Sequence, residues 1–426
     1  MKYVSNGRGS IPLITLIAML AVSLTVNLPG LAVSPMLGKL ADIFPHASQL
    51  EIQLLTLLPN LVIIPMILIS GKITSVRNQT AVLATGLSIF LLAGVLYLTA
   101  DTMPMLVGLG ALLGVGCGLI VPIAAGQLGE WFYGEQKERV LGFKSGTSNG
   151  IVILATIFVG WAADISWHTS FVVYLVPVIP LLLLPFMTNT FIHKHLNMQK
   201  EEGSSAAAGL PKKRFAHPIA TLCGVIGLYI ALTATSMVFT YYLPFTMKHY
   251  GLTSSQVGVA SAMFYVTAMI GGFSLTPFIR LVGRIGLYIC IVIMSAGLLM
   301  LGTFHTMPAY VVGVLLIGLG YGLFQPIIYN KTTEIAPTKA LSTKYFSYTL
   351  AGNYIALSII PPVVELFQRI FNNHTADFPY YLNAALLGII FVIGLVKHRS
   401  FVWTTKLDSK TVSEPQMNSG TRQAGK

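Results

Sequence analysis

The chain has 426 residues, 54% of them hydrophobic and only 9% charged, with a mean hydropathy of +0.74. A soluble chain carries about a quarter charged residues, so composition excludes a soluble fold and leaves a membrane class. The net charge of +12 would suit a nucleic-acid partner only if it were clustered for that purpose, and its distribution shows otherwise.

Lys2 and Arg8 precede an apolar run from about 11 to 33. This run is longer than the roughly 7–15-residue core of a signal peptide, and it predicts a first membrane span of about 20 residues. Eleven more apolar segments follow, near 51–71, 80–99, 105–127, 141–163, 169–190, 218–243, 255–279, 285–303, 308–330, 344–366 and 380–397. Twelve spans divide six and six around 191–217, whose polar, basic, small-residue composition reads as a linker. The expected organisation is an N-terminal half at 1–190, the linker, a C-terminal half at 218–397 and a polar, disordered tail at 398–426. Lys and Arg fall on alternate connections. With the N-terminus inside, all but three of the 26 lie on the cytoplasmic side, the exceptions being Lys39, Lys248 and Arg369. This fits the positive-inside rule. It puts both termini in the cytoplasm of a cell-membrane protein and absorbs the net charge without nucleic acid.

The fourth and tenth segments carry the same pattern, "GVGCGLIVP" from Gly114 and "GLGYGLFQP" from Gly318, 204 residues on. At the same offset Glu130 maps to Glu334 and Asn149 to Asn353. Gly114 and Gly118, like Gly318 and Gly322, share one helix face, and small residues at that spacing let helices approach closely in lipid. A parallel repeat of six helices is one architecture of secondary transporters, with the substrate site between the halves near mid-membrane.

On these features the chain resembles the major facilitator superfamily of transporters over nearly its whole length. The carriers are the six-plus-six layout, "GVGCGLIVPIAAGQLGEWF", "ERVLGFKSGTSNG" and "WHTSF". The look is closest to bacterial drug and metabolite exporters. The resemblance implies an all-α membrane fold of twelve helices in two repeated halves around a central cavity, lined by the first, fourth, seventh and tenth helices. Several signature positions depart. After Gly71 the loop between the second and third helices has Ser75, Val76 and Asn78 where the family carries an acid, an arginine and a glycine. The second half keeps Arg280 and Arg284. Gly110 stands where an arginine is usual, and Ala155-Thr156 replaces the exporters' Gly-Pro, while Pro361 and Pro362 nearly restore its counterpart in the eleventh segment.

Ionisable groups deep in a membrane are costly and therefore informative. Here they lie near segment ends. Glu365, one turn inside the outer end of the eleventh segment, is the candidate proton carrier, and Glu130 and Glu334 are expected to pair with inner basic residues. Uncharged polar stripes are more suggestive. Tyr321, Gln325 and Tyr329 follow i, i+4, i+8, and Tyr229, Thr233, Ser236 and Thr240 follow i, i+4, i+7, i+11, with Tyr241 beyond. Asn27 beside Pro29, Asn149, Asn353 and Tyr354 complete the expected substrate contacts. A site lined by aromatic rings and amides without fixed charge suits a largely apolar or amphipathic substrate.

No zinc-protease, phosphate-loop or paired-cysteine motif occurs, and the histidines are scattered. No enzyme activity, metal or cofactor is expected. Cys117, Cys223 and Cys290 lie in apolar segments and read as small hydrophobes. The function expected is alternating-access transport, proton-coupled efflux of amphipathic compounds, by a monomer whose partners are its substrate and the bilayer. The alternatives are an importer of a small organic solute and a lipid flippase on the same fold.

Overall fold

The computed structural model describes residues 3–6, 9–74, 79–132, 134–187, 217–336, 339–398 and 400–403. The linker and most of the tail lie outside these residues, as do Ser75, Val76 and Asn78. Inner and outer below follow the orientation implied by the Lys and Arg distribution.

Among the described residues eleven helices are long and apolar enough to cross a membrane, and a twelfth span is built from shorter pieces. Spans 2 to 5 are Gln49–Thr74, Gln79–Tyr97, Met103–Trp131 and Gly134–Ile165. Span 6 begins at Trp167 and alternates α and 3-10 turns to Phe186, its apolar run broken by Pro177, Pro180 and Pro185. Spans 7 to 12 are Pro218–His249, Ser254–Phe273, Gly286–Thr303, Met307–Ile335, Lys339–Phe371 and Phe378–Val396. Several helices run past the apolar segments, because the chain keeps helical geometry into the water on either side.

Span 1 differs from an unbroken helix. It consists of Leu13–Val22, Leu28–Leu31, a 3-10 turn at Ser34–Met36 and Leu37–Ile43. Pro29 and Pro35 lack the N–H that would bond one turn back, and the chain unwinds over Ser23–Asn27. Side chains from the same half satisfy the released carbonyls. Ser148 donates to Ser23 O at 3.0 Å, Cys117 Sγ to Val26 O at 3.3 Å, and Tyr174 to Pro29 O at 3.2 Å. Non-helical backbone at membrane depth survives only where protein or a cavity serves it.

The glycines of the repeat sit where backbones meet. A Cβ on Gly114 would lie 2.7 Å from Pro59 O, and one on Gly118 would strike Met66, both on span 2. Gly318 and Gly322 meet Phe264, Thr267 and Ala268 of span 8 in the same way. Gly116 and Gly320, on the opposite side of each stripe, abut Gly86 of span 3 and Met294 of span 9. The 204-residue repeat is thus a repeat of neighbours: 4 with 2 and 3, 10 with 8 and 9. Across the halves, span 5 packs on span 8 and span 2 on span 11.

Two elements were not expected. Residues Tyr3–Ser5 (β1) pair antiparallel with Ser10–Pro12 (β2), and the buried Asn6 between them donates to Trp131 O at the inner end of span 4. After span 12, Phe401–Trp403 is packed, in contrast to the disordered tail expected from 398 onward. Lys331 Nζ donates to Phe401 O and Val402 O at 2.8 and 2.7 Å, and the Trp403 ring stacks on Tyr288 against Gly394. A polar-looking tail is ordered here because a buried ammonium needs acceptors and Gly394 leaves room for an indole.

Candidate functional site

Midway along spans 7, 10 and 11, five polar side chains converge. Tyr321, Gln325 and Tyr329 lie one turn apart on span 10, and the cluster closes with Tyr229 of span 7 and Asn353 of span 11. Gln325 Nε2 lies 3.1 Å from the hydroxyls of Tyr229 and Tyr321 and 3.0 Å from that of Tyr329. The Tyr229 and Tyr329 hydroxyls are 3.1 Å apart. Tyr229 donates to Asn353 Oδ1 at 3.1 Å and Tyr321 to the same oxygen at 3.5 Å. Aromatic rings wall the cluster: Phe324 stands edge-on to Tyr229 and Tyr321, and Phe346 edge-on to Tyr329. Tyr229 is fully buried, whereas Gln325, Tyr329 and Asn353 are half-buried. No ionised side chain takes part in these bonds.

The other expected residues are placed as follows. Tyr354, next to Asn353, is buried. Asn27 and Asn149 are half-buried: Asn27 ends the unwound stretch of span 1, and Asn149 on span 5 follows Ser148, which bonds that stretch at Ser23 O. The remaining stripe of span 7 is turned into protein. Ser236 bonds Leu232 O at 2.5 Å, Thr240 reaches only Met237 Sδ, and Thr233 Oγ1 is buried without a partner. Tyr241 donates to Leu357 O at 2.6 Å. That carbonyl is free because Pro361, four residues on, has no N–H to give it. Glu365 is held in an ion pair with Arg369 at 3.0 Å on the outer end of span 11. Arg280 and Glu334 are exposed at inner ends, Gly71 lies within span 2, and the side chains of Glu130 and Arg284 fall outside the described residues.

Sequence reasoning missed the seal at the outer ends. Thr156, Gly160 and Asp164 lie on one face of span 5, opposite Ser254 and Gly258 of span 8. Gly160 and Gly258 meet backbone to backbone: a Cβ on either would lie 3.0–3.2 Å from the other's Cα. One turn further out, the Asp164 carboxylate accepts from Ser254 N at 3.1 Å and Ser255 N at 2.9 Å. These are orphan donors at the start of a helix, so one half caps a helix of the other. Asp42 pairs with Lys248, and Gln53 Nε2 donates to Tyr241 O at 3.1 Å, again across the halves. The legible signal was the i, i+4, i+8 run of small residues ending in a carboxylate. Behind the seal, Tyr250 donates to Asp377 at 2.9 Å and stacks on His305. Desolvation first, and then that carboxylate, raises the Tyr250 hydroxyl above the ordinary tyrosine value.

The family model of the Major Facilitator Superfamily matches residues 13–361 and again 225–413. The chain belongs to the Major Facilitator Superfamily. It is a multi-pass membrane transporter rather than an enzyme. Its fold is shared with a D-xylose–proton symporter (TM-score 0.67, 16% identity, covering 89% of this chain and 96% of that one). The xylose transporter XylE from E. coli, in an inward-open conformation, has a TM-score of 0.66 at 16% identity, covering 92% and 96%. The nucleoside transporter NupG has 0.67 at 10%, covering 90% and 99%. At these identities the likeness is one of fold alone. The comparison with curated protein sequences finds no match.

Proposed function

We propose that this superfamily member moves uncharged, amphipathic small organic compounds across the cell membrane by alternating access, with the Tyr229–Gln325–Asn353 cluster as its binding site and a proton gradient driving efflux. One observation carries the reading: five converging polar side chains at mid-membrane, walled by aromatic rings, with no ionised group among them. A small ionic substrate would need a buried counter-charge to offset its desolvation. In this proposal a single chain suffices, its halves at 1–190 and 218–397 are joined by 191–217, and both termini face the cytoplasm. Glu365 is not retained as proton carrier, since Arg369 already holds its carboxylate on a helix end.

The test is flux of the neutral lipophilic probe N-phenylnaphthylamine in proteoliposomes under an imposed proton gradient. Gradient-dependent movement that falls at least tenfold in Gln325→Leu is expected; flux equal to that of empty liposomes refutes the proposal. Uptake in the opposite direction is the second reading. One fact favours it: a structure with this fold is a D-xylose–proton symporter. Reversing the gradient in the same assay separates the two.

A further inference from the structure

The hydrogen-bond arithmetic of the cluster says more about the substrate than the lack of charge does. The three tyrosine hydroxyls and the Gln325 amide supply five protons. The distances accommodate all five in one arrangement. Tyr229 and Tyr321 donate to Asn353 Oδ1. Tyr329 donates to the Tyr229 oxygen. The two Gln325 amide protons go to the oxygens of Tyr321 and Tyr329. Every tyrosine oxygen then gives one bond and receives one. Turning over the Asn353 amide alone would leave the Tyr321 proton without an acceptor in the cluster, and turning over both amides together only exchanges their roles, again leaving one acceptor and one donor group unused.

Two ends are left over. Gln325 Oε1 is an unused acceptor and Asn353 Nδ2 carries two unused donors; neither has a protein partner among the described residues, and both side chains are half-buried. The two amides are neighbours, because Gln325 Nε2 and Asn353 Oδ1 bond the same two hydroxyls, Tyr229 and Tyr321.

We infer that the site recognises a neutral polar group that donates to Gln325 Oε1 and accepts from Asn353 Nδ2, a group of the carboxamide or lactam class, on an otherwise apolar substrate. The inference rests on the proposed location of the site. A carboxylate has no proton for Gln325, an ammonium has no lone pair for Asn353, and a hydrocarbon would bury both amide ends unpaired. Each mismatch leaves a desolvated polar group without a partner, and sites built to hydrogen-bond discriminate strongly against analogues that lack the group.

The experiment measures binding of four probes on one frame, phenylbutyramide, phenylbutyrate, phenylbutylamine and butylbenzene, to the full-length purified protein in nanodiscs. The amide is expected to bind about 10–100-fold more tightly than the other three. Asn353→Leu and Gln325→Leu should each erase that preference. Gln325→Glu, which keeps the size of the side chain, should shift preference toward the amine. Equal binding of the four probes by the wild type, binding of none, or preference for a charged probe overturns the assigned class. An amide preference that survives all three substitutions refutes the location of the site instead.

Discussion

Removing the Asp164 carboxylate tests the outer seal most directly. In Asp164→Ala the N–H groups of Ser254 and Ser255 lose acceptors at 3.1 and 2.9 Å, and span 8 loses the negative charge at its positive end. Bonds to a charged acceptor contribute about 1.5–3 kcal/mol each when sheltered. Asp164 is exposed, so water replaces much of this, and about 0.5–1 kcal/mol each is the appropriate scale. The sum, about 1–2 kcal/mol, favours only the conformation in which the outer ends touch, so its loss multiplies the outward-open population by about 5–30. Asp164→Asn keeps one acceptor oxygen and should give about half that free-energy change. Spin labels at His46→Cys and His249→Cys, exposed at the outer ends of opposite halves, report the separation by pulsed electron paramagnetic resonance. Cys117, Cys223 and Cys290 are first replaced by alanine. The long-distance fraction should rise in the order wild type, Asp164→Asn, Asp164→Ala. Identical distance distributions in three well-folded proteins would show that the cap bears no part of the seal.

Gly258→Leu places a side chain where Thr156 O already lies 2.5 Å from a bare Cβ, so the outer ends cannot close; the same labels should read almost wholly long distances, and an unchanged distribution counts against the seam. Tyr241→Phe leaves Leu357 O unpaired in the membrane, which should lower stability by about 1–3 kcal/mol. Pro361→Ala restores the N–H that Leu357 O lacks, so melting of the double variant should return most of the loss; no recovery would show that Tyr241 acts otherwise. The Tyr250–Asp377 bond needs the phenol proton, and the phenol is raised in the folded protein. Its contribution is therefore complete below the ordinary tyrosine value of 10.0 and is lost as pH rises through the raised one. Tyr250→Phe should remove the alkaline part of the melting profile and leave the neutral part parallel to wild type.

The twelve spans and the repeat were legible because hydropathy and an exact spacing of glycines need no tertiary knowledge. The span 10 stripe was legible too, since Tyr321, Gln325 and Tyr329 repeat every four residues. Periodicity does not say what a face looks onto. On span 7 the same logic grouped Tyr229 with Thr233, Ser236 and Thr240, yet only Tyr229 reaches another helix's polar groups; the hydroxyl of Ser236 is satisfied by its own helix. A Ser or Thr that turns back on its own helix is indistinguishable in sequence from one that faces a substrate. The break in span 1 had a signal in Pro29 and Pro35, but averaged hydropathy hides five unwound residues. The outer cap was hidden because Asp164 sits at a helix end, where a carboxylate ordinarily means contact with water. Its partners are backbone groups 90 residues away, which no side-chain motif announces.

The five side chains of the cluster all belong to one half, on spans 7, 10 and 11. In the opposite half Cys117 and Val121 stand at the repeat positions of Tyr321 and Gln325. In the proposed reading, the groups that select the substrate are therefore carried by one half alone. A gene fusion joining residues 218–397 to a foreign first half would carry the cluster intact, and duplication followed by recombination at the linker offers a short path to new pairings of cargo and drive.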